Sequence, residues 1–350
     1  MRSLLLASLI APWCFVPRAD TPAFHPAADA GLTKTFVQTV SFQLDDFSLD
    51  VDGQDMGGMM GAFEASADLE TGITVHDTYL ASAQGRPERL KRAFETLKFA
   101  GTMVVGAGGE VQEEPMESSS PLEGRTVAFT WNDEEGEFDV EFEGEAGEAE
   151  LLEGLEEEMD MRFLLPPADV EVGGTWEVKV EDLLPLLMPG GDLGFETPEE
   201  DDAALALEEF LSGKAEELKD LLHGTCTCTY KGASESDGKR LGEIEIALEI
   251  ASAADLSSLI EEAIRKMAEE QGQTEIPIDI SAADVNLDVQ GGGTLLWDLS
   301  AGYLHSLQMK GDCQIALDIS VAIDAEGESH SANLSAEVSG SVEQSVETNE

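Results

Sequence analysis

The sequence predicts an α+β fold built on a large, curved antiparallel β-sheet, half-barrel-like in form, with a few covering helices. Apolar and polar residues alternate through most of the chain, as strands with one buried face require. Short turns rich in Gly, Asp and Ser separate these stretches, which is typical of antiparallel neighbours. Helical spacing is confined to a few stretches between groups of strands, so the helices are expected to cover the sheet and not to alternate with its strands.

The strand predictions follow the alternation. Phe36, Val40 and Phe42 alternate at even positions, and from Phe47 the pattern continues at odd ones. The parity change predicts a β-bulge or a bend at Asp45-Asp46 within one long strand. The longest alternation occupies residues 307–323. Further strands are predicted at 73–79, 127–131, 138–142, 176–180, 225–230, 244–250, 285–289, 295–297 and 332–342.

Four covering helices are predicted, at 87–98, 149–158, 199–223 and 254–271. In the first, Leu90, Phe94 and Leu97 share one helical face, and Gly85-Arg86-Pro87 provides a start signal.

The N-terminus has the order of a signal peptide. Arg2 precedes the uncharged apolar stretch 3–16, which is too short to span a bilayer as a helix, and small residues follow. Residues 1–30 are therefore predicted to be a signal peptide cut after Ala30, with Ala23 as the alternative site. The remaining chain, 31–350, is predicted to be a single large domain, or two β-rich halves (31–184 and 203–350) joined by the Pro-, Gly- and acid-rich connection 185–202. The mature protein is expected to be soluble and periplasmic or extracellular, with no transmembrane segment.

Charge excludes one class of partner. The chain of 350 residues has 19 basic and 73 acidic residues, a formal charge of −54, so binding to nucleic acid or to an anionic membrane through a basic patch is not expected. Basic residues concentrate at Arg86, Arg89, Lys91 and Arg92. On the predicted 87–98 helix these residues form a docking face for an acidic partner, or simply a solvated face with internal ion pairs.

Cysteine spacing favours a disulfide. Cys226 and Cys228 share one face of a predicted strand, and Cys313 lies on the apolar face of another. In an oxidising compartment this predicts a bridge from Cys313 to Cys228 or Cys226, and three buried thiols are the alternative.

Motifs for catalysis, metal or cofactor are not found. The five histidines are dispersed, and neither H-E-x-x-H nor G-x-S-x-G occurs. Residues 50–55 begin like a calcium loop, but Gly61 stands where the twelfth-position Glu is needed, which favours a solvated acidic turn. We therefore predict no catalytic residue, metal site or cofactor.

Three scattered motifs carry a resemblance. They are Asp77-Thr78-Tyr79 with Gly85-Arg86-Pro87, Leu90, Arg92 and Phe94; Leu165-Pro166 with 172–176; and 293–298 with Gly302. Together they resemble an uncharacterised family of exported bacterial envelope proteins, known as a domain of unknown function, which implies no activity and no residue roles. By overall layout the chain is also similar to lipoprotein carriers and lipid-binding lipoproteins, an architectural likeness that implies nothing about function.

Three functions remain open. The first is an exported, non-enzymatic envelope protein that binds an apolar ligand such as a lipid acyl chain. The alternatives are a structural or partner-interaction protein of the envelope and a carboxylate-based hydrolase. The predicted pocket lining consists of Leu307, Met309, Ile315 and Leu317 from the sheet and Leu259, Ile260 and Met267 from a helix. A solid core of the same side chains is the competing interpretation.

Overall fold

The architecture comes from a computed structural model. It describes residues 21–56, 63–108, 110–144, 147–195, 223–262, 278–325 and 328–350. The predicted 199–223 helix lies outside the described residues except at its last position. Of the predicted 254–271 helix, residues 254 and 255 are instead the end of a strand, residues 257–262 form a helical turn, and residues 263–271 lie outside the described residues.

Within the described residues, thirteen strands form one antiparallel sheet. They are β1 (Ala30–Val51), β2 (Gln54–Asp55), β3 (Glu64–Ala83), β4 (Arg86–Ala107), β5 (Glu110–Ser119), β6 (Thr126–Asn132), β7 (Glu137–Phe142), β8 (Thr175–Val178), β9 (Gly224–Ser236), β10 (Lys239–Asp255), β11 (Ile278–Asp298), β12 (Tyr303–Ala325) and β13 (Glu328–Asn349). Their order is β7-β6-β4-β3-β1-β13-β12-β11-β10-β9-β8, with β2 and β5 paired to β1 and β4.

This sheet confirms the predicted fold class. Most strands that are neighbours in sequence pair as hairpins. β1 also pairs with β13, so the strands before and after the 185–202 connection belong to the same sheet. The bulge predicted at Asp45-Asp46 is present, because the β1–β13 register shifts between Leu44 and Asp46. The bulge keeps Phe47 on the same face as Leu44.

The predicted 87–98 helix is wrong, because this stretch is the first half of β4. A second bulge explains the error. The β3–β4 register passes from Phe94 to Thr96, which leaves Glu95 as the extra residue. Leu90 and Phe94 therefore share the apolar face with Leu97 at spacings of four and three, which imitate a helix although the backbone is extended.

Residues 147–195, apart from β8, form what we call the cover, which crosses the apolar face of the sheet. It contains 3-10 turns at Ala149–Leu152, Arg162–Leu164 and Val180–Leu183 and one short α-helix, α1 (Leu184–Leu187). Its buried apolar side chains, which belong to the same core as those of the strands, are Leu155, Met159, Met161, Leu164, Val180, Leu183, Leu186 and Leu193. The fold thus has two layers, but irregular chain supplies most of the second one.

Residues 21–29 also belong to the core. Phe24 is buried, with its ring centroid 5.7 Å from that of Tyr79 and 6.5 Å from that of Trp297. The Trp297 indole N–H donates to the carbonyl of Ala23 (3.0 Å), and the His25 amide donates to the carbonyl of Gly302 (2.9 Å). A signal-peptide boundary at Ala30 or Ala23 would cut through this packed segment.

The core occupies one half of the long strands. On β1, Leu32, Lys34 and Phe36 are buried, whereas Phe42 and Phe47 on the same face are half-buried. We call this second half of the apolar face the open strip. The cover and the open strip meet along the row where Gln38 pairs with Gln344.

Candidate functional site

A cluster of buried charges joins the sheet to the cover. Asp77 on β3 accepts hydrogen bonds from Arg92 Nε to its Oδ1 (2.8 Å) and from Arg92 Nη2 to its Oδ2 (2.9 Å), a bidentate pair between neighbouring strands. Both side chains have no exposed surface. The same guanidinium donates to the backbone carbonyls of Glu156 (3.1 Å) and Glu157 (2.9 Å) on the cover. Arg92 therefore satisfies acceptors on both layers at once.

Lys34 on β1 extends this cluster. Its ammonium lies 2.8 Å from Asp77 Oδ2 and 2.8 Å from Asp160 Oδ1 of the cover, and it donates to the Tyr79 hydroxyl at 2.7 Å. That hydroxyl donates in turn to Asp160 at 2.8 Å. Sheet and cover are thus connected by direct ion pairs.

The cover contributes the remaining charges. Arg162 pairs with Glu157 and, at 2.6 Å from its Nε, with Glu158, and its guanidinium lies 5.0 Å from the centre of the Phe24 ring. Met161, between Asp160 and Arg162, has a left-handed backbone (φ 57°) and is fully buried. A left-handed backbone is strained at a residue with a side chain, and the contacts around Met161 hold the segment in this conformation.

Burial and pairing set the pKa values in opposite directions. Burial alone would raise the pKa of Asp77, but Arg92 and Lys34 outweigh it and lower this pKa to about 2. Burial raises the pKa of Tyr79 well above its usual value, and the nearby Asp160 and Asp77 add to the rise. Burial, with Glu158 and Asp160 close by, raises the pKa of Glu157 to about 7 although Arg162 opposes the change. Glu157 is thus the member of the cluster that titrates near neutral pH.

Sequence reasoning missed this cluster. Its signal is a charged residue at a position where the alternation demands an apolar one: Lys34 lies between Leu32 and Phe36, and Asp77 between Val75 and Tyr79. The motifs that carry the resemblance place Asp77, Tyr79 and Arg92 in the cluster, with Trp297 beside Phe24.

The predicted docking face of four basic residues is not formed. In an extended strand Arg92 points to the buried face, and Arg89 and Lys91 point to the other. Lys91 pairs with Glu143, and the Arg86 guanidinium stacks 3.9 Å from the centre of the Trp131 ring. The face disappears because strand geometry replaces the helical geometry on which it was predicted.

Two crevices lie where the cover meets the open strip. One has a volume of about 250 Å³, and the other, on the far side of Leu187, about 100 Å³. Both share Gln38, Leu187 and Gln344, and the Gln344 amide donates to the carbonyl of Leu186 (2.7 Å), which fixes α1 between them. We call the pair the rim groove. Its apolar lining side chains are Phe36, Ile73, Leu186, Leu187, Met188, Pro189, Leu193, Phe195, Leu248, Val289, Met309, Cys313 and Val342.

The predicted pocket residues divide between these regions. Leu307 is fully buried in the core, and Met309 lines the smaller crevice. Ile315 and Leu317 are half-buried on the open strip. Leu259 and Ile260 are half-buried at the 257–262 turn, and Met267 lies outside the described residues.

The predicted disulfide is wrong in the structure, where Cys226, Cys228 and Cys313 are buried free thiols. β10 and β11 separate β9 from β12, which puts Cys313 roughly 14 Å from the other two cysteines at the usual strand spacing. A disulfide needs Cα atoms within about 7 Å. Cys226 and Cys228 are about 6.6 Å apart along an extended strand, whereas bridged Cβ atoms lie about 4 Å apart.

We therefore expect Cys226, Cys228 and Cys313 of the purified, denatured protein to take up iodoacetamide without prior reduction. Cys313→Ser is expected to change the free energy of unfolding by far less than the 2–5 kcal/mol that loss of a native disulfide typically removes. Mass spectrometry of the alkylated chain checks the first result and urea denaturation the second. Uptake of reagent only after reduction would restore the bridge.

The predicted acidic turn at 50–55 is an ordinary connection. Asp52 accepts from the Ser331 amide (2.8 Å) and lies 2.7 Å from His330 Nδ1, which ties the turn to β13. Within the described ranges, no group of three or more His, Cys, Asp or Glu side chains is placed to hold a metal ion. Among the helices that the structure describes, none combines the length and apolarity needed to cross a membrane.

Comparisons with known proteins identify no family. No family model matches the sequence, and no curated protein is similar to it, so the resemblance to exported envelope proteins stays a prediction. Among solved structures, the chain is weakly similar to the outer membrane protein OprG from Pseudomonas aeruginosa, at 7% identity and a TM-score of 0.20, over 91% of this chain and 97% of that one. An outer membrane channel from Pseudomonas putida F1 gives 7% identity and a TM-score of 0.22, over 93% and 97%. Likenesses this weak carry no inference about function.

Proposed function

We propose that this chain is an exported, non-enzymatic protein of the cell envelope that binds an acyl chain in the rim groove. The observation that carries the proposal is the pair of apolar crevices beneath the edge of the cover. They are small, they are lined mainly by methyl, thioether and aromatic groups, and they adjoin the half-buried open strip. A long, thin, flexible apolar ligand suits such a groove, because concave apolar surface binds ligands by removing their apolar surface from water.

The edge of the cover favours the same conclusion. Leu187 and Met188 keep 59% and 47% of their surface exposed although they adjoin the groove. Large apolar side chains in this position would lose exposed surface to water if they covered a bound acyl chain, which would stabilise the complex. A hydrolase is supported less, because the carboxyl groups of the buried cluster are paired with Lys34, Arg92 and Arg162 and are enclosed by both layers.

Glycine residues make room for the groove. Gly311 lines the smaller crevice on the same strand face as Met309 and Cys313, and an added Cβ there would meet no atom closer than 3.4 Å. A larger side chain at Gly311 would therefore point into the crevice without a backbone clash. Gly72 on β3 provides a matched control, because an added Cβ there meets nothing within 4 Å and Gly72 pairs with the exposed Val37 on the polar face.

We expect the purified protein to bind a fluorescent monoacylglycerol saturably, and Gly311→Leu to weaken binding about tenfold or more because the side chain occupies the crevice. Gly72→Leu is expected to bind as the wild type does. Fluorescence titration measures the affinities, and circular dichroism verifies that both variants fold. No uptake by the wild type, or equal weakening by both variants, would refute the proposal.

A further inference from the structure

We propose that the buried carboxyl group of Glu157 acts as a pH-sensitive latch that holds the cover against the sheet and releases it as the pH rises. The effect of the latch on ligand binding rests on the proposed function, because the cover forms one wall of the rim groove.

The cluster contains one more acidic side chain than basic side chains. Three cationic side chains (Lys34, Arg92, Arg162) meet four carboxyl groups (Asp77, Asp160, Glu157, Glu158). A buried net charge is unfavourable in a medium of low polarity, so one carboxyl group is best kept protonated. Both carboxylate oxygens of Asp77 and both of Asp160 accept hydrogen bonds from side chains of the sheet. Glu157, in contrast, has one buried oxygen, Oε1, that finds no hydrogen-bond partner among the described residues.

Surroundings on every side determine the charge state of Glu157. The titratable and charged groups nearest to it are Arg162, Glu158 and Asp160 on the cover, Arg92 on β4, Asp77 and Tyr79 on β3, and Lys34 on β1. With Glu157 protonated, three cations face three carboxylates. With Glu157 ionised, the cluster acquires one unmatched negative charge between sheet and cover.

A direct connection joins the cluster to the groove. The Glu156 amide donates to the carbonyl of Gly190 (2.8 Å), the Asp192 amide donates to the carbonyl of Gly154 (2.9 Å), and Leu155 pairs with Gly191 as a β-bridge. Residues 154–156 therefore hold 190–192, and residues 187–193 form the wall of the larger crevice. If the cover loosens at Glu157, residues 154–156 would also loosen their hold on 190–192, and the wall of the groove would move with them.

The direction of the pH effect follows from linkage. Glu157 has a higher pKa in the folded protein (about 7) than the ordinary value of 4.5. Its contribution to stability is fully present below pH 4.5 and is lost as the pH rises through 7. Between pH 6 and pH 8 this predicts a roughly tenfold fall in the equilibrium constant that holds the cover closed.

Hydrogen exchange tests the latch without ligand. After correction for intrinsic exchange rates, amides of residues 154–162 and 187–193 in the wild type are expected to lose about tenfold in protection between pH 6 and pH 8. Glu157→Gln, a neutral mimic of the protonated acid, is expected to show equal protection at both pH values. Glu156→Gln, the same change at an exposed neighbouring side chain, is expected to behave as the wild type. A wild-type cover with protection independent of pH, or a Glu157→Gln variant that keeps the dependence, would overturn the latch.

The full wild-type chain gives the same test if Glu157→Gln does not fold. Unfolding is expected to release about one proton from this group near pH 6 and none near pH 8.5, measured by calorimetry in buffers of different ionisation enthalpy. Absence of the difference contradicts the latch.

Ligand binding forms the second arm. The affinity of the wild type for the uncharged fluorescent monoacylglycerol is expected to fall by up to tenfold between pH 6 and pH 8, and that of Glu157→Gln to stay constant. If the probe binds at no pH while the exchange results hold, the acyl-binding function fails and the latch stands. If the probe binds with the same pH dependence in both proteins, the latch fails and the function stands.

Discussion

Arg92→Met is expected to lower the free energy of unfolding by about 3–5 kcal/mol, as measured by urea denaturation. Methionine fills much of the same space, but it removes both hydrogen bonds to Asp77 and the donors to the carbonyls of Glu156 and Glu157. The loss is large because the remaining carboxylate and carbonyls are buried and lose their partners.

Arg89→Met is the matched control for this variant. Arg89 lies three residues earlier on the same strand, is exposed, and points to the opposite face. Its replacement is expected to change the unfolding free energy by no more than about 0.5 kcal/mol. Equal effects of the two variants would contradict the strand assignment and the buried cluster together, since on a helical docking face both arginines would be solvated.

Removal of residues 1–30 is expected to prevent stable folding, whereas removal of residues 1–20 is expected to leave stability unchanged. The reason is that residues 21–29 place Phe24 in the core and satisfy the Trp297 indole N–H and the Gly302 carbonyl. Circular dichroism and thermal unfolding of the two truncated chains, with the full chain beside them, measure the difference.

A single substitution tests the same segment without a change of length. Phe24→Ala is expected to lower the unfolding free energy by about 3–5 kcal/mol, because it removes a buried aromatic ring between Tyr79 and Trp297. A folded, stable chain that begins at Gly31 would show that these contacts are dispensable, and it would allow the signal-peptide boundary predicted from the sequence.

Local alternation is sufficient to predict much of the sheet. Strand partners in hairpins are close in sequence. Alternate side chains of a strand lie on opposite faces, so the alternation shows which face is apolar. For this reason the strands around Phe36–Leu44 and 307–323 and the bulge at Asp45 follow directly from the sequence. Where a bulge alters that period, as at Glu95, the same rule wrongly predicts a helix. Apolar residues at spacings of four and three fit one face of a helix and also one face of a bulged strand.

Long-range partners required the tertiary structure. Asp77 and Arg92 are 15 residues apart, Tyr79 and Asp160 are 81 apart, and Trp297 and Ala23 are 274 apart. A local sequence pattern does not show which buried charged side chains form an ion pair. The pairing depends on strand register and on the path of an irregular cover. The same reason explains the cysteine error: identical strand faces are compatible with neighbouring strands and with strands three positions apart.

By itself, therefore, the sequence determined the sheet, its apolar face and the overall acidity, because these depend on period and composition. The tertiary structure alone decided that Lys34, Arg92 and Glu157 meet between two layers and that the rim groove opens beside them. The physical reason is that burial and pairing are properties of residues brought together from distant parts of the chain, and a charged side chain in an apolar pattern shows only that such a partner must exist.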